Sequence, residues 1–125
     1  MNVSDAVKFV VEHRKNKVCK GWTPYQITYD ITEAIKRNNF AYTVNDNEEL
    51  TGVCWGTSNV TTKVFHVDAI LTIEKGALKE LVKYFQRTFR DYIILAERRD
   101  IFRTYNTPKL IQKIYGQQFS KTVSA

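Results

Sequence analysis

Along the first third of the chain the apolar positions recur three and four residues apart. Val7, Val10 and Val11 share one face of a helix that Ser4 is placed to cap and that ends in the Asn16 to Gly21 region. Thr23-Pro24-Tyr25-Gln26 is a second helix start: a Thr cap, a Pro whose missing N–H costs nothing there, and a Gln positioned to close a capping box. The helix it opens turns Ile27, Ile31, Ala34 and Ile35 to one side and stops near Arg37-Asn38-Asn39.

From there the period falls to two. Phe40 to Val44 and Leu50 to Trp55 flank the turn-forming "NDNEE", which predicts an antiparallel hairpin. "GTSNVTT", Gly56 to Thr62, reads as a second polar connection, so Lys63 to Ile73 becomes a third strand beside the second. Its Phe65, Val67, Ala69, Leu71 and Ile73 alternate onto one face, with His66, Asp68 and Thr72 on the other. After Gly76 the helical spacing returns in Leu78, Leu81, Val82, Phe85 and Phe89. Tyr92 to Ala96 is a continuous apolar run, as expected of a strand covered on both faces. Thr107-Pro108 opens a last helix with Leu110, Ile111 and Ile114 inward and Gly116 at its end. The order α-α-β-β-β-α-β-α implies an α+β fold of three layers, with a mixed central sheet whose strand-helix-strand unit is parallel and right-handed. With no linker, repeat or low-complexity tract, residues 1–119 form one domain and 120–125 a flexible tail.

Composition changes this picture little. A chain of 125 residues with 43% hydrophobic and 26% charged residues sustains one core without staples. Cys19 and Cys54 have no CxxC spacing and complete no zinc pattern with His13 and His66, so the thiols are expected to be reduced and no metal is expected. No secretory leader or membrane-length apolar run is evident, which points to a cytoplasmic product. The net charge of +6, with basic residues bunched in "HRKNKVCK" and at Arg98, Arg99 and Arg103, favours anionic partners.

Two helices, a meander and a strand-helix-strand unit resemble the GNAT family of N-acetyltransferases. The strand Val64 to Ile73, followed by Gly76 and "LKELVKYF", looks like the family's fourth strand, pyrophosphate loop and third helix. "YNTPKLIQKIYGQQF" is similar to the segment where the family carries an Asn, a helix, a Tyr and a Gly-Phe ending. The resemblance implies acetyl-CoA held by glycine-spaced backbone N–H groups at a helix start, on the pattern Gln/Arg-x-x-Gly-x-Gly/Ala. Ile73, Lys75, Gly76, Ala77 and Lys79 occupy that stretch. Ile73 stands where the family has Gln or Arg, and Leu78 where it has Gly or Ala. The family's general acid maps to Tyr115 or Tyr105, although Tyr115 and Gly116 are adjacent where the family leaves a few residues between them. Asp68, Glu74 and His66 are available as a base, and a backbone N–H at a bulge in the third strand would polarise the thioester carbonyl.

The combination of "VSDAVKFVVEHRKN", "FHVDAILT" and "GALKELVKYF" is also similar to small GNAT-like proteins encoded among the head-assembly genes of short-tailed bacteriophages. That resemblance implies a part in virion assembly in the host cytoplasm, or in the virion itself. The partners would be phage structural or assembly proteins and no cofactor would be used, with Trp22, Trp55, Tyr25 and Tyr29 as contact anchors. The departures at Ile73 and Leu78 rank this reading first, Glu74-Lys75-Gly76 being then an inherited corner, and acetyl-CoA-dependent acetylation of an amine second. Nucleic-acid binding through the basic clusters ranks last, because no known motif organises them.

Overall fold

A computed structural model describes residues 1–15, 18–98 and 103–106. Helix α1 (Val3–His13) is capped by Asn2 and not by Ser4: the Asn2 side-chain oxygen accepts the Ser4 N–H at 2.8 Å, and Asn is among the strongest caps. It also ends at His13, before the Asn16 to Gly21 region expected from the sequence. Lys15 takes a left-handed φ of 44°, and the Arg14 guanidinium donates to the carbonyls of Cys19 and Trp22, tying the following loop back. Helix α2 (Pro24–Lys36) starts with the full capping box: Gln26 N–H donates to Thr23 Oγ1 at 3.2 Å and Thr23 N–H to Gln26 Oε1 at 2.7 Å. Ile27, Ile31 and Ala34 are its buried positions.

Strands β1 (Phe40–Val44), β2 (Leu50–Asn59) and β3 (Val64–Thr72) follow, then helix α3 (Ala77–Thr88) and strands β4 (Ile93–Arg98) and β5 (Arg103–Asn106). The five strands lie in sequence order. The β1–β2, β2–β3 and β4–β5 pairs are antiparallel, and β3–β4 is parallel, which makes the fold α+β with a mixed sheet. β2 runs four residues past its expected end, because Gly56, Thr57, Ser58 and Asn59 stay in the ladder opposite β3. β5 has no counterpart among the elements read from the sequence. The helix expected from Thr107-Pro108 and the tail 120–125 lie outside the described residues.

The sheet separates two cores. α1 and α2 cover Phe40, Val53, Trp55 and Ala69 on one face. α3 covers Ala41, Cys54, Phe65 and Ile94 on the other. Neighbouring residues such as Val53 and Cys54 are thus divided between faces, as the pleat requires. In α3 the inward positions are Ala77, Leu81 and Phe85. Leu78 and Val82 sit half-buried at the flank, so Ala77 takes the place expected of Leu78. Among the described side chains of β4, Ile94 is buried against α3 and Leu95 is half-buried, whereas Ile93 is 47% exposed. Among the described residues no helix is long and apolar enough to cross a membrane. Cys19 and Cys54 are both buried, on opposite sides of the sheet.

Candidate functional site

β3 does not keep the alternation read from its sequence. Phe65 and Val67 pack on the α3 side, but Ala69 and Leu71 pack on the α1–α2 side, and Ile70 joins α3. The inversion comes from one extra residue. Trp55 stands opposite Ala69 and Gly56 opposite Val67, which leaves Asp68 as a β-bulge. Gly56 makes this possible, since a Cβ there would lie 2.1 Å from the His66 carbonyl oxygen and 2.8 Å from the Phe65 ring. Glycine inside a strand is the sequence signal for such close approach.

The bulge gathers three side chains. His66 Nδ1 lies 2.8 Å from Asp68 Oδ1, and Thr57 Oγ1 donates to Asp68 Oδ2 at 2.7 Å. A carboxylate only accepts, so Nδ1 carries the proton in this contact, and Nε2 of the neutral ring is left with its lone pair. The His66 side chain is half-exposed. The histidine and aspartate were candidates from the sequence; Thr57 was missed because "GTSNVTT" reads as a loop.

At the same place the described pairing of β3 with β4 stops. Described β3–β4 pairing ends at Val67 opposite Ala96, while β3 continues to Thr72 along β2. Ile73 N–H donates to the Thr51 carbonyl at 2.9 Å, so the groups of Ile73, Leu71 and Ala69 face β2. By ladder alternation, the N–H and C=O groups of Ile70 and Thr72 face the side that β4 has left.

Gly76 caps α3 in a left-handed conformation, φ 94°, and a Cβ placed there would meet nothing within 4 Å among the described residues. Glycine is the residue suited to that conformation, and the space beside it is open at the positive end of the helix dipole. Lys75 and Lys79 are exposed around it, and Ala77 N–H is already engaged with the Glu74 carbonyl. Ile73 is 50% exposed and supplies no polar side chain.

The remaining candidates are dispersed. Glu74 lies six residues beyond Asp68, up to roughly 20 Å along an extended chain. It lines a different cleft of about 550 Å³, with Asp5, Glu12, Glu48 and Glu49 among its neighbours. Tyr105 lies on β5 opposite Ala96. Tyr115 lies outside the described residues. Trp55 is buried, whereas Tyr25 and Tyr29 are 81% and 64% exposed. Among the described residues no cluster of His, Cys, Asp and Glu could hold a metal. No family model, curated protein or solved structure matches the chain.

Proposed function

We propose that the chain is a GNAT-like domain that binds acetyl-CoA in the opening between β3 and β4 and acylates an amine. The observation that carries this reading is the Asp68 bulge at the point where β4 leaves β3. It provides outward-turned backbone groups on Ile70 and Thr72, farther along the strand from the histidine that Asp68 engages, in place of a closed ladder.

The residues fit the cofactor. The open space at Gly76, with Lys75 and Lys79 beside it, suits a pyrophosphate at a helix start, and the outward groups of β3 suit an amide-bearing arm. When bound, acetyl-CoA supplies an activated acyl thioester. His66 Nε2 would take a proton from the acceptor ammonium, freeing the nitrogen lone pair for attack on the carbonyl. Asp68 steadies the imidazolium and Thr57 fixes Asp68. As the C–N bond forms and the C–S bond breaks, the sulfur needs a proton, which the family resemblance assigns to Tyr105 or Tyr115. Leu78, at the flank of α3, is compatible with this use of Gly76, because the helix directs Ala77 into the core instead.

Titration calorimetry with acetyl-CoA tests the reading. Saturable binding is expected, weakened in Lys75→Glu/Lys79→Glu and abolished in Gly76→Trp. Absence of heat at millimolar ligand overturns it. A second reading, virion assembly through protein contacts, draws support from the exposed Tyr25 and Tyr29 on α2. It predicts that Tyr25→Ser/Tyr29→Ser abolishes co-purification with phage head proteins and leaves any acetyl-CoA binding unchanged.

A further inference from the structure

The start of α2 carries a second arrangement, outside the bulge. Trp22, Tyr25, Gln26, Tyr29 and Asp30 line a cleft of about 270 Å³. Helical spacing explains part of this: Tyr25 and Tyr29 are one turn apart, Gln26 and Asp30 one turn apart, and Trp22 reaches the cleft from the loop before the Thr23 cap. The two tyrosines are not core residues that happen to be visible, since they are 81% and 64% exposed. Three aromatic side chains therefore border a gap that opens to solvent.

Asp30 gives the gap its charge. Its Oδ2 accepts the indole N–H of the buried Trp55 at 2.7 Å, which fixes the carboxylate against the sheet. No described Lys, Arg or His forms an ion pair with it, in a chain with 19 Lys and Arg against 13 Asp and Glu. Satisfying Trp55 uses one oxygen only. Oδ1 has no hydrogen-bond partner among the described residues.

We infer that this cleft binds an organic ammonium ion, its alkyl groups against the faces of Trp22, Tyr25 and Tyr29 and its charge beside Asp30. Aromatic faces attract cations through the ring quadrupole, most strongly when the cation is alkylated and weakly hydrated, and a fixed carboxylate adds the Coulomb attraction. An anion is repelled by Asp30, and a neutral apolar group gains the contact area without the charge. The inference does not depend on acetyl transfer: it concerns residues on α2 and the loop before it, and its measurement requires no cofactor.

The test is a nuclear magnetic resonance titration of the ¹⁵N-labelled protein with choline, and with 3,3-dimethylbutan-1-ol as its neutral isostere. Choline is expected to shift the Trp22 indole resonance saturably, at concentrations of about 1–10 mM, and with it the Trp55 indole N–H that Asp30 accepts. The neutral isostere is expected to bind at least about fivefold more weakly. Asp30→Asn, whose amide oxygen can still accept the Trp55 N–H, should weaken choline about tenfold. Tyr29→Leu, which keeps apolar bulk on an exposed position, should weaken it about threefold. Equal binding of choline and its isostere, or no saturable shift with choline, overturns the inference. An Asp30→Asn protein that fails to fold leaves the isostere comparison and Tyr29→Leu to decide.

Discussion

The two halves of β3 have the same kind of sequence and different fates. Val64 to Val67 is held between two strands and sends Phe65 into the α3 core, where its ring lies 4.9 Å from that of Phe85 and 4.5 Å from that of Phe89. Ala69 to Thr72 has one described neighbouring strand, and its Ala69 and Leu71 face the opposite core. One inserted residue separates these halves. The first is fastened by packing; the second gives up a strand partner, and the polar chemistry collects at the join.

Phe65→Ala should be the most costly single truncation. The side chain is fully buried among aromatic rings, so about 3–5 kcal/mol of stability should be lost in urea denaturation. Leu71→Ala, in the half-buried second half, should cost about 1–2 kcal/mol. Equal costs would mean that the two halves are equally packed and would break the comparison.

The bulge itself can be attacked through Gly56. A methyl group there meets a backbone oxygen, which cannot swing away, so Gly56→Ala should cost about 2–4 kcal/mol. Gly52→Ala is the control in the same strand. Its Cβ would meet side-chain atoms, Thr43 Oγ1 at 2.8 Å, Thr72 Cγ2 at 3.1 Å and Ala77 Cβ at 3.3 Å; Thr43 yields by giving up its bond to Thr51, so about 1–2 kcal/mol is expected, less than against a backbone oxygen. Thermal melts of the pair would show whether the close approach at Gly56 holds the bulge.

On the α3 face even the second half of β3 covers a closed core, and Cys54 reports this. It stands opposite Ile70, and burial, reinforced by the nearby Asp68 carboxylate, pushes its thiol well above the ordinary value. The unfolded chain loses that proton above about pH 9 while the folded chain keeps it. The folded state then binds more protons, and stability must fall as pH rises, by about 1.4 kcal/mol per pH unit from this group. Cys54→Ala should lack that component of the slope in denaturation measured from pH 8 to 10.5. Identical slopes would mean that the thiol reaches solvent in the folded state.

How much of this could be read in advance follows from range. The capping box at Thr23 and Gln26 and the limits of β1 depend on residues near in sequence and were legible. The end of β2 was not, because "GTSN" is polar and turn-like by itself and becomes strand only through pairing with Val64 to Val67. The face inversion in β3 was hidden for a similar reason. Strict alternation from Phe65 to Ile73 fits an unbroken strand, and the extra residue is visible only in register against Trp55 and Gly56. His66 and Asp68 were recognisable as a pair two residues apart, whereas the Thr57 contact depends on the extension of β2. Asp30 gave no signal at all, since its bond to Trp55 spans 25 positions of sequence.

The smallest expected effect concerns the join between the halves, where a proton's position matters more than stability. With Asp68 accepting at 2.8 Å, neutral His66 should exist as the Nδ1–H form. Long-range ¹H–¹⁵N spectra of the imidazole distinguish the two ring nitrogens directly. Asp68→Ala should return the ring toward the Nε2–H form favoured by a free imidazole. Thr57→Val, which removes only the bond that fixes the far carboxylate oxygen, should leave Nδ1–H dominant and change stability by about 1 kcal/mol or less. If the tautomer is the same with and without Asp68, the bulge holds a histidine without orienting it. In that case Nε2 is no better prepared to take a proton than an isolated surface histidine would be.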